Sequence, residues 1–403
     1  MRVLFITPYL PSRIRVRAYG FVCHLAPRHR VTVVAAATVD VEQADVEALR
    51  ARGIAVRLVT EPRAQRYLRS LRALATDQPL QVAFGASPRL RAAIGDELAS
   101  NTYDVVHVEH LRAVGALPAH CPVPVVWDAV DCVSQLFEEG ARHASSSVLR
   151  AFGRQEARRT RAFESRQLHR FPHVLVTSAR DRQYLLDTLA DQPEDRATRL
   201  AEITPVPNGV DQEYFRPYAG TRRPETLVFS GKMSYHANVA GVLTLVHRIL
   251  PLIWKARPTV KVVIAGSNPP RQIRDLARDP RIEVTGYVAD LRPLIAQAQI
   301  AVSPLPYAVG VQNKILEAMA LGTPVVTSPA AASGLQAVDG RDLLVADTPE
   351  AFASTVLRLL ENTALCQSLV AHGLAFVATN HDWERIATQI TEVYSRAQLQ
   401  AVV

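Results

Sequence analysis

Short runs of β-branched and aliphatic residues alternate along the chain with longer stretches whose apolar positions recur at helical spacing, the pattern of βαβ units feeding parallel sheets. The first half predicts strands at 2–7 (RVLFIT), 31–36 (VTVVAA), 54–59, 104–108 (DVVHV), 123–127 (VPVVW) and 173–177 (HVLVT), with helices between most of them. A second series follows residue 220, with strands at 226–231 (TLVFSG), 260–266 (VKVVIAG), 282–286 (IEVTG), 300–304 (IAVSP) and 324–328 (PVVTS). Each series amounts to one doubly wound domain, and the turn-rich segment PVPNGVDQEYFRP at 205–217 lies between them. The expected fold class is α/β, with Rossmann-like domains at 1–216 and 217–380 and a segment 381–403 packing back onto the first. Open parallel sheets bind ligands at the carboxyl ends of their strands, so two such sheets facing each other predict an active site in the cleft between them.

A length of 403 residues, 48% hydrophobic and 21% charged, suits two folded domains rather than a disordered chain. The apolar run in MRVLFITPYLPS is too short for a signal-peptide core, and no 18 apolar residues run together without charge. A cytoplasmic protein is expected. Cys23, Cys121, Cys132 and Cys366 are scattered without metal or disulfide spacing, and neither a DxD-like pair nor HExxH occurs, so no metal is expected.

Arginine carries the net charge of +8, since only four of the 46 basic residues are lysines. Arg63, Arg66, Arg69 and Arg72 recur at i+3, and eight arginines lie between Arg142 and Arg170 against Glu156 and Glu164. Both stretches read either as solvated helix faces or as surfaces for anionic lipid headgroups at the inner face of the cell membrane. No aromatic stacking platform accompanies them, which argues against nucleic acid.

The most informative segment is VGVQNKILEAMALGTPVVTS, Val309 to Ser328. A strand ends at Ser303-Pro304, a loop containing Gly310 follows, and a helix runs to Leu321 before Gly322 stops it. The helix amino terminus then sits at a strand's carboxyl end, where free N–H groups and the helix dipole favour phosphate. Gly310 allows close backbone approach, Lys314 adds a point charge, and Glu317 lies one turn on, placed to accept ribose hydroxyls. Taken singly, Lys314 and Glu317 also suit the surface of an ordinary amphipathic helix. His107, Glu109 and His110 end another strand, where a carboxylate and imidazole would orient a sugar hydroxyl or simply satisfy neighbouring loops. His236, in the loop after Lys232, is equally ambiguous.

This segment resembles the donor-binding motif of glycosyltransferase family 4, whose members have the GT-B fold. The resemblance continues through PNGVD (Pro207–Asp211), FSGKMSYHAN (Phe229–Asn238), VVIAGSNP (Val262–Pro269) and VTGYVADLRPL (Val284–Leu294). It covers the carboxyl half in order and the amino half more loosely. QNKILEAMA looks most like sugar transferases encoded beside bacterial exopolysaccharide systems, including those associated with PEP-CTERM sorting.

The resemblance implies roles residue by residue. Lys232, after Gly231, would meet the donor pyrophosphate. Gly266 and Ser267 would border the donor, Tyr287 and Val288 would lie against the nucleobase, and Glu317 would hold the ribose. Gly20 and the loop from Pro8 to Arg17, with Arg15, would face the acceptor and phosphates. Three departures stand out. Val309 replaces the first glutamate of the E-x7-E motif, leaving Gln312 or Asn313 to contact the donor sugar. The second pyrophosphate-binding lysine falls near Ala237 or Asn238, leaving Lys314 to supply its charge. Asp128 and Asp131 stand where many members have a histidine, and would bind acceptor or sugar.

The implied reaction is transfer of a sugar from a nucleoside diphosphate to a hydroxyl acceptor, a glycan or lipid-linked intermediate, with retention and without a cofactor. The donor acts as co-substrate, and domain closure would exclude water. A nucleotide-sugar epimerase of the same architecture and a non-catalytic nucleotide-sugar-binding scaffold are the alternatives.

Overall fold

A computed structural model of the protein describes residues 1–37, 43–144, 146–189, 202–217 and 220–401. The chain forms two compact units, Met1–Gly209 with Trp383–Val403, and Val210–Asp382. It leaves the first unit at Gly209, earlier than the expected 216, and returns at Trp383.

The first unit is built on a seven-stranded sheet of order β3-β2-β1-β4-β5-β6-β7. Its strands are β1 (Arg2–Thr7), β2 (Arg30–Ala37), β3 (Ala55–Thr60), β4 (Val105–Glu109), β5 (Val125–Val130), β6 (His173–Val176) and β7 (Ile203–Pro205). All neighbouring pairs are parallel. Helices cover both faces, so the strands read as continuous apolar runs, and Val3, Leu4, Phe5 and Ile6 are all fully buried. One face holds Leu4, Ile6, Val106 and Trp127. The other holds Val3, Phe5 and Val105 against Ile386, Ile390 and Tyr394 of the helix Trp383–Ala401. That helix packs on the helix Val16–Leu25, where a Cβ on Gly20 would stand 2.1 Å from the Trp383 ring. β5 runs on to Val130, beyond the expected 127, which puts Asp128 inside a strand.

The second unit carries a six-stranded parallel sheet of order β10-β9-β8-β11-β12-β13. Its strands are β8 (Arg223–Ser230), β9 (Lys261–Ala265), β10 (Ile282–Gly286), β11 (Ala298–Ser303), β12 (Val325–Thr327) and β13 (Leu344–Val345). β7 and β13 escape prediction because three and two residues are too few to show a period.

The helical run His236–Ala256 is long and apolar enough to cross a membrane by length and composition, and half of it is buried inside the unit. Val242, Leu245, Ile249 and Ile253 belong to the core, which is the role the fold gives the run. It passes through a π turn at Leu245–Ile249 just before Pro251, whose missing N–H would interrupt a regular helix in any case.

Candidate functional site

In each sheet the strand order reverses once, at β1/β4 and at β8/β11, and the polar side chains gather at those two carboxyl-end switch points. In the second unit, β8 runs into Gly231 and β9 into Gly266, with φ of 143° and 150°. A Cβ on Gly266 would stand 1.8 Å from the Gly231 carbonyl oxygen, so the two turns touch backbone to backbone. The Gly231 N–H donates to the Ala265 carbonyl at 3.0 Å, and the Met233 N–H to the Ser267 carbonyl at 2.9 Å. Only glycine has both the dihedral freedom and the space for this contact.

Across the switch point, β11 leads through Gly310, with φ of 64°, into the helix Asn313–Ala320. Ile315, Leu316 and Met319 bury one side of this helix, which leaves Lys314 and Glu317 half-buried on the other. Lys314 Nζ donates to Asn238 Oδ1, and Asn238 Nδ2 donates to the Lys232 carbonyl at 2.9 Å. The ammonium stands 4.5 Å from the Phe229 ring centroid and 3.3 Å from where a Cβ on Gly231 would be. Burial pushes Lys314 down and Glu317 up, each to about 7, with their mutual attraction only partly opposing it.

Gln312 precedes this helix and donates from Nε2 to the Val309 carbonyl at 3.0 Å, so its amide is held against the loop where the glutamate is missing. Asn313 opens the helix. Lys232 is exposed beside the Gly231 turn. Tyr287, 74% exposed, and the half-buried Val288 follow the edge strand β10. His236 stacks on Tyr307 and shares a hydrogen bond with its hydroxyl at 2.6 Å.

In the first unit, Thr7 and Glu109 end the two switch-point strands. Glu109 is buried, accepting from Thr7 Oγ1 at 2.9 Å and from the Tyr9 hydroxyl at 3.0 Å. Arg15 lies 4.4 Å over the Tyr9 ring. Burial, aided by the Asp128 charge, pushes Glu109 up to about 7. His110 has φ of 65°, its Nδ1 accepts the Arg112 N–H at 3.2 Å, and burial pushes it down to about 3.

The expectations for Arg17, Asp128, Gly20 and His107 are corrected, because each is engaged inside the unit. Arg17 does not face a ligand: it is buried, giving Nε and Nη2 to Asp128 at 2.7 and 2.8 Å and Nη1 to the Val206 carbonyl and Asn208 Oδ1 at 2.8 and 3.0 Å. Burial works to raise Asp128, but Arg17 outweighs it and holds the carboxyl at about 2. Asp128 is thus spent on an internal ion pair. Gly20 serves the packing of Trp383. His107 is buried and stacked on Phe5 at 4.3 Å, with Nδ1 at 2.8 Å from the Tyr394 hydroxyl. Asp131 accepts from Thr177 Oγ1 at 3.0 Å, and burial with neighbouring Asp181 pushes it up to about 7. The arginine ladder also divides: Arg66 and Arg69 turn inward onto Glu61, at 3.6 and 2.6 Å, and only Arg63 and Arg72 stay exposed. Among the described residues no group of three His, Cys, Asp or Glu side chains could hold a metal ion.

Comparison with known proteins bears on the second unit first. Residues 224–362 match the family model Glycosyl transferases group 1. Among curated relatives, glycogen synthase of Mycobacterium tuberculosis is 29% identical over 252 residues, 58% of each chain. Phosphatidyl-myo-inositol mannosyltransferase of Mycobacterium leprae is 30% identical over 204 residues, 48% of this chain and 54% of that one. The chain thus spans little more than half the length of these relatives. The Anabaena protein Alr3699/HepE, solved in complex with UDP and with UDP-glucose, superimposes with a TM-score of 0.68 over 98% of this chain and 100% of its own, at 15% identity. The fold is GT-B.

Within the group 1 region, sequence reasoning undervalued Asn238, which looked only like a lost lysine. No spacing links it to Lys314, 76 residues away, so the bracket they form becomes visible only once β8 and β11 lie side by side. Thr7 and Tyr9 were likewise missed as partners of Glu109.

Proposed function

We propose that the protein transfers a sugar from a nucleoside-diphosphate sugar to a hydroxyl of a glycan or lipid-linked intermediate in bacterial exopolysaccharide synthesis, with retention of configuration and without a cofactor. The observation that carries this reading is the meeting of Lys314, Asn238 and the Gly231 turn, with Glu317 one turn further along the same helix. Departure of a nucleoside diphosphate develops negative charge, and preorganised donors aimed at that charge lower the barrier. Lys314, Lys232 and the turn after Gly231 supply them; Glu317 takes the ribose, and Gln312 and Asn313 take the sugar in place of the carboxylate that Val309 lacks. Gly266 and Ser267 border the diphosphate, and Tyr287 and Val288 the base. On the acceptor side, Glu109 and Arg15 meet the incoming hydroxyl, with His110 and Asp131 lining its approach.

Two kinds of support stand beside the geometry. The structural neighbour binds UDP-glucose, which makes UDP the first nucleotide to test. The names of the two relatives cover both a glycan and a phospholipid acceptor. The setting we propose is cytoplasmic, at the inner face of the cell membrane.

Thermal denaturation with UDP, GDP, TDP and ADP, on the wild type and on Glu317→Ala, tests the donor site. A ligand at a hundred times its Kd stabilises by about 2.7 kcal/mol, a rise of several degrees. One nucleotide should raise the melting point of the wild type and fail to raise that of Glu317→Ala. No shift with any nucleotide overturns the donor site. Product analysis with the donor alone then separates slow hydrolysis, expected of a transferase, from an epimerised nucleotide sugar or no turnover at all.

A further inference from the structure

Of eleven large hydrophobic side chains exposed among the described residues, seven lie on two elements of the first unit. Tyr67, Leu68, Leu71 and Leu74 stand out from the helix Arg63–Ala73 and its end; Val148, Leu149 and Phe152 stand out from the first turns of the helix Ser147–Arg170. Leu71 is 62% and Val148 75% exposed. The two elements are joined. Arg159 donates to the Leu74 carbonyl at 3.0 Å, and the Leu80 N–H donates to Glu156 at 3.0 Å, one helical turn beyond Phe152.

Charge on the same two helices is sorted by side. Glu61 is buried under Arg66 and Arg69, and Glu156 and Glu164 are each 1% exposed, the latter accepting the Val133 N–H at 2.8 Å. Neither helix therefore exposes a carboxylate, while Arg63, Arg72, Arg150, Arg154 and Arg158 are exposed. Exposed acids lie off the helices, at Asp77 and at Glu138, the latter paired with Arg142.

We propose that this face seats the protein on an anionic phospholipid bilayer, with the leucine, valine and aromatic side chains entering the acyl boundary and the arginines meeting headgroup phosphates. Apolar residues interleaved with cations, and acids turned inward, are what an interfacial surface needs and what an ordinary solvated surface does not have. A second copy of the chain fits less well, because a symmetric contact would set arginine against arginine. A polyphosphate chain would leave the aliphatic side chains unused. The inference deepens the membrane setting proposed above but rests on residues other than those of the donor site, so loss of vesicle binding and loss of nucleotide binding are separate outcomes.

Co-sedimentation with vesicles of phosphatidylglycerol and phosphatidylcholine tests it. Binding is expected to anionic vesicles, to weaken with added salt, and to be absent with pure phosphatidylcholine. Arg72→Gln/Arg150→Gln/Arg154→Gln should lower partitioning by roughly a hundredfold, at about fivefold per arginine. Leu71→Ser/Val148→Ser, which keeps every charge, should lower it by about tenfold; Phe152→Ser serves if that variant melts early. No binding of the wild type overturns the proposal, as does binding that the apolar substitutions leave unchanged. Sedimentation velocity showing a lipid-free dimer that Leu71→Ser/Val148→Ser dissolves would make the face a self-interface and overturn it too.

Discussion

Lys314→Met keeps the length of the side chain beside Phe229 and removes the ammonium that reaches the Gly231 turn through Asn238. A charged hydrogen bond to phosphate contributes about 1.5–3 kcal/mol, so donor affinity should fall about 10- to 150-fold. The pH dependence is more diagnostic. With burial holding Lys314 at about 7, the free protein carries this lysine largely neutral at higher pH, and binding a diphosphate must draw a proton back. Affinity is then full below that pH and weakens as pH rises, by up to about tenfold per unit until the bound-state pKa is passed. Titration calorimetry with UDP-glucose between about pH 6 and about pH 9, in two buffers of different ionisation heat, measures both affinity and proton uptake. UDP-glucose is preferable to UDP, whose terminal phosphate titrates near about 6. Glu317 also titrates at about 7, and as a ribose-binding carboxylate would favour high pH; Glu317→Gln removes that opposing contribution. Wild-type affinity in Lys314→Met, or a pH slope that survives the substitution, refutes the role given to this lysine.

Two further predictions concern stability and the donor turns. Arg17→Ala leaves the buried Asp128 carboxyl without its partner, which costs about 3–5 kcal/mol in urea unfolding, and Arg17→Ala/Asp128→Ala should recover part of that; a single variant as stable as the wild type would remove the ion pair from the account. Gly266→Ala meets the Gly231 carbonyl at 1.8 Å as well as an unfavourable φ, whereas Gly340→Ala, at φ of 78° with nothing within 4 Å, meets only the latter, about 1–2 kcal/mol. Nucleotide should still stabilise Gly340→Ala and not Gly266→Ala, and equal responses would refute a specific role for the paired turns.

Strands buried on both faces announce themselves as unbroken apolar runs, which is why RVLFIT and KVVIA could be placed without a structure. The glycines ending β8 and β9 came only with the family resemblance, and nothing in the sequence says that their backbones touch. Residues whose partners are remote were not readable. Arg17 and Asp128 are separated by 111 residues, and nothing local marks either one as the other's partner. Gly20 resembled a ligand-facing glycine until Trp383 was seen against it. The i+3 spacing set all four arginines on one helix face, whether solvated or lipid-facing, but Glu61, lying outside the helix, pulls two of them inside. Periodicity reports what a helix offers and not what its neighbours accept.

The helix Trp383–Ala401 belongs to the first unit, although the whole of the second is threaded before it. On the ribosome, the first unit emerges with Phe21 of the helix Val16–Leu25 and His107 of β4 lacking their partners Trp383 and Tyr394, and stays so until some 170 residues more have been synthesised. The bond from Tyr394 to His107, across 287 residues, is among the last tertiary contacts that synthesis permits. The second unit is contiguous and can complete its core first, so the earlier-made half of the protein is expected to finish folding later.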